Sequence, residues 1–389
     1  VSIDWTYSIM QHPTQPQQPQ SNHRVLSIDA LRGFDMFWIM GADTLAPKLL
    51  AMLPATVAGV STAWATGLAD QFEHVQWEGF RFYDLIFPLF LMLVGCSIPF
   101  SLRKLQENRT KALWRILRRT FLLVLMGLVY NGIQNLNWQD LRWMGVLQRI
   151  GICYGAAALL AVYLSPRTLL AVWIAILLGY WGILAWVPVP GGSAGVLTPE
   201  GNLSGYIDRW LLPGKILEKY YGYGDNEGLL STIPAVATVL LGIGAGKWLQ
   251  NESFTKLQKA SGLMALGATL VILGTVWGNY FPVIKNLWTS SFVLVAGGWS
   301  LILLSVFYGI IDGLGFRRWA WLWIIIGSNA IAIYMLQRIV PFGKISEFFL
   351  NGIASLAGDH RTTILLAGAL LCKCALLAFL YRQKVFLRL

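Results

Sequence analysis

FEHVQWEGFRFYDLIFPLFLMLVGCSIPFS, residues 72–101, decides how this chain folds. From Leu85 to Phe100 it is apolar at close to membrane length, since a helix needs about 20 such residues to cross hydrocarbon. Immediately ahead of that run stand His74, Trp77 and Asp84. An imidazole, an indole and a carboxylate at the mouth of a span are costly to place, so ionisable groups at that depth read as functional.

Composition agrees with a membrane interior. The 389 residues are 56% hydrophobic and 13% charged, with 39 Gly and 18 Trp; soluble domains carry about 25% charged residues. Glycine permits close helix contact in lipid and tryptophan favours the interfaces. The apolar runs are continuous rather than alternating, which predicts an all-α, polytopic transmembrane helix bundle and excludes a barrel. The net charge of +11 is scattered between the runs and forms no continuous basic face, so nucleic acid is not an expected partner. The lipid bilayer is. Cys96, Cys153, Cys372 and Cys374 all sit inside apolar runs without metal-ligand spacing, and no metal is expected.

Taken in order, residues 1–23 are Gln- and Pro-rich without the apolar core of a signal peptide. They read as a disordered cytoplasmic tail, with residues 24–389 forming one transmembrane domain. About ten spans are expected, near 32–52, 82–101, 119–136, 145–164, 167–187, 229–249, 258–279, 289–311, 320–340 and 362–382, with a short surface helix near 207–220. An even count puts both termini on one side. The densest basic block, RKLQENRTKALWRILRR (103–119), lies between the second and third spans and marks the cytoplasmic face, which places His74 on the outer side. The 188–228 segment is rich in Gly, Pro and Tyr and reads as an ordered external lid suited to a polar ligand such as a sugar.

His74 is the first candidate for chemistry: imidazole titrates near about 6.5 and moves protons close to neutral pH. Asp43, ending the first span on the same expected side, is a candidate to orient it. Asp29 and Arg32, three residues apart, share a helix face and either pair with each other or leave Arg32 for a phosphate. Arg142, Gln148 and Arg149 lead into the fourth span, and Arg149 lies too deep for an ordinary loop charge. Asp225 and Glu227 precede the sixth span, Asn329 and Gln337 lie on the ninth, and Lys373 reads as structural. No GxSxG, HExxH, Walker or GxGxxG pattern is present in its required context.

Eight blocks, in this order, resemble the heparan-α-glucosaminide N-acetyltransferase family, a group of transmembrane acyltransferases. They are SIDALRG (27–33), HVQWEG (74–79), DLIFPLFLMLVGCSI (84–98), RWMGVLQRIGICY (142–154), DNEGLLST (225–232), GIGAGK (242–247), NLW (286–288) and IGSNAIAIY (326–334). The resemblance covers almost all of residues 24–382, and implies a bacterial member without the luminal domain and first span of the animal proteins. It implies that acetyl-CoA is taken from the cytoplasmic face of the inner membrane, and that the acetyl group is delivered to the amine of a glucosamine-type sugar or glycan on the far side. A homodimer is implied as well.

His74 matches the family's active histidine. Asp43 stands where the animal enzyme has an active-site Asn, and Gln337 where it has a His; both departures bear on substrate preference. Arg32, Arg118, Arg119 and Lys247 are the expected partners of the CoA phosphates, with Asn329 as a further cofactor contact. Trp77, Asp84, Arg142, Gln148, Arg149, Asp225, Glu227 and Gln337 are expected around the acceptor. Arg149, Asn329 or a backbone N–H would meet the developing oxyanion. His74 acts either as general base in direct transfer or as acyl acceptor; direct transfer needs no hydrolysis-prone intermediate near an aqueous exit. An aminosugar transporter and an O-acyltransferase acting on a surface polysaccharide are the alternatives.

Overall fold

The structure, a computed structural model, describes residues 25–52, 62–102, 108–216 and 222–387. The expected tail (1–23) and the start of the basic connector, Arg103 and Lys104, lie outside the described residues. Fifteen α-helices follow one another: α1 Leu26–Phe37, α2 Asp43–Ala51, α3 Thr62–Asp70, α4 Phe82–Leu102, α5 Arg109–Tyr130, α6 Val146–Tyr163, α7 Pro166–Trp186 and α8 Leu203–Leu211, then α9 Leu229–Gln250, α10 Lys256–Gly278, α11 Ser290–Tyr308, α12 Trp321–Ser328, α13 Ala330–Ile339, α14 Phe342–Leu356 and α15 Arg361–Arg382. Among the described residues there are only isolated β-bridges, at Glu78–Ile284 and Arg142–Gly214.

The helix starts follow local chemistry. Ser165 caps α7 and Pro166 takes its first position, where a missing N–H costs nothing. Thr255 and Gln258 close a capping box on α10, each side chain bonding the other's backbone N–H.

Among the described residues, seven helices are long and apolar enough to cross a membrane: α4, α6, α7, α9, α10, α11 with its π-helical continuation to Gly313, and α15 with the turn before it. An eighth is available if α12 and α13 count as one span, but the pair is bent by 60° at Asn329. The expected ten is therefore not reached on length and composition, and two of its segments fall short for different reasons. The 32–52 segment is broken into α1, a π-helical turn at Trp38–Ala42 containing Gly41 at φ 117°, and α2. Helix α5 is long enough, but Arg109, Lys111, Arg115, Arg118 and Arg119 load its first half with charge. The surface helix expected at 207–220 is α8, shorter and shifted towards the N-terminus. Helix α14 was not anticipated, and it leaves Phe348, Phe349 and Ile353 exposed.

Burial separates inner from outer helices. The apolar windows of α4, α9 and α11 are 78%, 72% and 67% buried, against 28%, 28% and 22% for α7, α10 and α15. The first three form the middle of the bundle and the other three turn most of their surface outward.

Small residues set the inner spacing. A Cβ on Gly95 of α4 would strike the Val239 carbonyl of α9, and one on Gly242 of α9 would strike the Met92 carbonyl of α4. With no hydrophobic drive between helices in lipid, backbone approach of this kind supplies the packing. We expect Gly242→Val to lower the thermal unfolding midpoint in detergent, at a cost of about 1–3 kcal/mol for overpacking. Gly244→Val, where a side chain meets open space, is expected to leave the midpoint unchanged.

Candidate functional site

The site is assembled from two loops and the start of α4. Residues 74–79 run extended beside 282–285: Glu78 bridges Ile284, and the Gly79 N–H donates to the Val283 carbonyl at 2.9 Å. Gly79 adopts φ 122°, a region open to glycine and strained for other residues. It turns the chain from this bridge into α4. The Trp77 indole donates to the Leu197 carbonyl at 2.9 Å, tying the same segment to the long 187–202 loop. On the other side, Trp288 sits at φ 53° with its N–H on the Lys285 carbonyl, closing a tight turn that presents Lys285.

Asp84, in the first turn of α4, is fully buried. Its Oδ1 lies 2.8 Å from His74 Nδ1 and 3.4 Å from Lys285 Nζ, and its Oδ2 accepts the Arg81 N–H at 3.1 Å. Lys285 Nζ is also 2.9 Å from His74 Nδ1. Asp84 thus holds an imidazole, a lysine side-chain nitrogen and a backbone donor at a helix N-terminus, where negative charge is favoured. The Tyr83 ring packs over the imidazole at 4.7 Å between centroids. Burial pushes the Lys285 amine below the ordinary lysine range, and Asp84 opposes that shift.

These groups border a cavity of about 470 Å³ lined by Phe72, Glu73, Trp77, Asn226 and Asn286 as well as the His74 cluster. The volume suits one sugar-sized group. The His74 side chain keeps 33% of its surface, enough to meet a ligand in the cavity.

Asn226 belongs to DNEG (225–228), which joins the cavity to a second charged layer. Arg142 grips Asp225 through Nε at 2.8 Å and Nη2 at 2.5 Å, and also bonds Glu227. Burial works against the Arg142 charge, but these two carboxylates outweigh it and raise its pKa. Below them Arg149 is fully buried. It donates to the Gly228 carbonyl at 3.2 Å and to Ser231, and stacks over Trp288 at 5.0 Å. Its Nε and Nη1, and Gln148 Nε2, have no hydrogen-bond partner among the described residues. Asp208 of α8 holds the whole segment, accepting the N–H groups of Asp225 at 3.1 Å and Leu229 at 2.9 Å.

Several expectations are relocated. The carboxylate on His74 is Asp84, expected as an acceptor contact, and not Asp43. Asp43 opens α2, bonds Thr44 at 3.4 Å and acts electrostatically on Lys373, which itself donates to the Met40 carbonyl at 2.6 Å. Arg142, Asp225 and Glu227, expected around the acceptor, are occupied with one another. Arg32 does pair with Asp29, at 3.3 Å, and donates to Ser97 at 2.8 Å. Arg118 is exposed on α5, while Arg119 stacks over Tyr154 at 4.5 Å. Lys247 is half-buried in the last turn of α9. Asn329 uses its amide in both directions on the C-terminal segment, donating to the Val385 carbonyl at 2.9 Å and accepting the Leu387 N–H at 3.0 Å. Gln337 is half-buried on α13 and does not line the His74 cavity. Among the described residues no group of three His, Cys, Asp or Glu could hold a metal ion.

No protein-family model matches the chain. Its sequence is 29% identical over 379 residues to human heparan-alpha-glucosaminide N-acetyltransferase, covering 81% of this chain and 55% of the human protein. The mouse protein of the same name is 28% identical over 353 residues, covering 74% of this chain and 53% of that protein. Over most of its length the chain is thus similar to two heparan-α-glucosaminide N-acetyltransferases. It spans about half the length of these curated relatives.

Among the cavity residues that escaped sequence reasoning are Tyr83, Asn226 and Lys285. Asn226 lies between two acids that were singled out, and Lys285 directly precedes NLW. A cation in a loop reads as an ordinary interfacial charge until the Glu78–Ile284 bridge brings it to His74.

Burial raises the Asp208 carboxyl to about 6, with the Leu229 and Asp225 N–H groups opposing. A raised carboxyl pKa stabilises the fold fully below the unfolded value of about 3.9 and loses that contribution as pH climbs through the folded value. Thermal unfolding in detergent is therefore expected to show stability falling between about pH 4 and pH 6, by up to roughly 3 kcal/mol. Asp208→Asn is expected to flatten that slope.

Proposed function

We propose that the chain transfers an acetyl group from acetyl-CoA to the amine of a glucosamine-type sugar, with His74 as general base. The observation that carries this reading is the His74–Asp84 pair, 2.8 Å apart on the wall of a sugar-sized cavity. A carboxylate on Nδ1 fixes the tautomer that leaves Nε2 with its lone pair, which takes the proton that the attacking amine must lose. Similarity over most of the chain to two proteins named heparan-alpha-glucosaminide N-acetyltransferase supports the same chemistry.

The topology we propose keeps ten crossings by counting α1–α2 and α5 with the eight apolar candidates, so that both termini face the cytoplasm of a bacterial inner membrane. The arginines of α5 then lie at the inner end, with Arg32, Arg118, Arg119 and Lys247 as partners for the CoA phosphates. The acetyl group reaches His74 from that side while the sugar enters the cavity from the other. Transfer is direct, without an acetyl-imidazole. The buried Arg149 guanidinium, with two nitrogens unsatisfied among the described residues, supports a role for it in meeting a carbonyl oxygen or developing oxyanion.

Purified protein in proteoliposomes, given acetyl-CoA on one side and glucosamine on the other, is expected to produce N-acetylglucosamine. His74→Ala is expected to lose at least about 100-fold in rate while still binding CoA. Undiminished turnover by that variant removes His74 from the mechanism. Glucosamine uptake without acetyl-CoA replaces the enzyme with a transporter.

A further inference from the structure

His74 Nδ1 has two neighbours at hydrogen-bonding distance, Asp84 Oδ1 at 2.8 Å and Lys285 Nζ at 2.9 Å, and a single ring proton serves one of them at a time. Nζ is also 3.4 Å from Nε2 and 3.4 Å from Asp84 Oδ1. The amine therefore stands at a corner shared by the ring and the carboxylate. The other titratable groups facing it are Glu73 and Tyr83 on the cavity wall and Glu227 acting through space from the DNEG segment.

An Asp–His pair alone has a weakness in a reaction that needs a base and then an acid. Once the imidazolium forms beside a buried carboxylate, the ion pair holds the proton. A neutral amine at Nδ1 gives that proton a second site, still beside the carboxylate. Only 17% of the Lys285 side chain is exposed, and burial lowers its basicity against the pull of Asp84.

We propose that Lys285 is the proton-relay partner of His74: as Nε2 takes the proton lost by the attacking amine, Nδ1 passes its own proton to Nζ. This rests on the acetyl-transfer reading above. The amine nitrogen bonds to the acetyl carbon and the C–S bond breaks, its electron pair leaving on sulfur. The Nε2–H proton then goes to the thiolate while Nζ returns its proton to Nδ1. One proton leaves the amine, one arrives on sulfur, and the Asp84–His74–Lys285 array ends as it began. Lys285 is a positioning residue, since it acts through His74 and not on the substrate.

Two measurements on the full-length protein in detergent test this. The first is competitive acetylation with acetic anhydride across pH, read by peptide mass spectrometry, which needs no variant. Lys285 is expected to label at lower pH than exposed Lys111, and Asp84→Asn to move that midpoint further towards acid. Labelling in step with Lys111, or none at any pH, overturns the relay. The second is steady-state kinetics of Lys285→Met and Lys285→Arg. Both are expected to lose about 100-fold in kcat with the KM for acetyl-CoA near wild type, because neither methionine nor an already protonated guanidinium can accept a proton. Wild-type turnover in Lys285→Arg overturns the relay and leaves acetyl transfer standing. A wild-type protein that acetylates no glucosamine acceptor removes the underlying reading instead.

Discussion

A carboxylate sealed at the start of the central helix governs the site. Asp84 is fully buried, and an isolated charge there would be strongly unfavourable. Its neutralising partners come from segments far apart in sequence, His74 ten residues before it and Lys285 two hundred after it. Removing any member leaves an uncompensated charge in a water-poor place, which typically costs more than the pair contributes when whole. The 74–79 and 282–285 loops are thereby bound to α4, and the cavity exists because they are.

A second charged layer lies behind the first, and the two share one short segment. In DNEG, Asn226 faces the cavity while Asp225 and Glu227 turn to Arg142 and Gly228 offers its carbonyl to Arg149. Glu227 also acts electrostatically on Lys285. Four consecutive residues thus connect the cavity wall to a fully buried guanidinium. Asp208 anchors their backbone from α8, so the long loop between α7 and α9 forms part of the site's frame.

Much of this was legible in the sequence, and the remainder follows a pattern. The all-helical bundle and the central place of 82–101 rest on apolar continuity, and the attention drawn to His74 rests on the cost of ionisable groups at depth; both are local properties. The pairing of Asp29 with Arg32 was likewise open to inspection, being three residues apart on one helix. What sequence could not rank was which carboxylate meets His74: Asp43 and Asp84 each end or begin a helix on the expected side, and only the packing of loops chooses between them. Lys285 was invisible for the same reason. Two of the ten expected spans are not reached on length and composition, because the apolar content of 32–52 is visible in sequence while the π-helical turn at Trp38–Ala42 is not, and because charge loads the first half of α5.

The break between α12 and α13 has its own consequence. Asn329 occupies the corner, and its side-chain amide is bonded in both senses to the backbone of Val385 and Leu387. The corner is therefore stapled by the Val385–Leu387 segment, in the manner of a strap across a knee. Trimming the protein ahead of Val385 would free both halves of a buried amide and let the knee straighten or sag. The C-terminus is thus part of what shapes the Tyr334 side of the bundle, where Tyr334 stacks on Tyr130 at 4.8 Å.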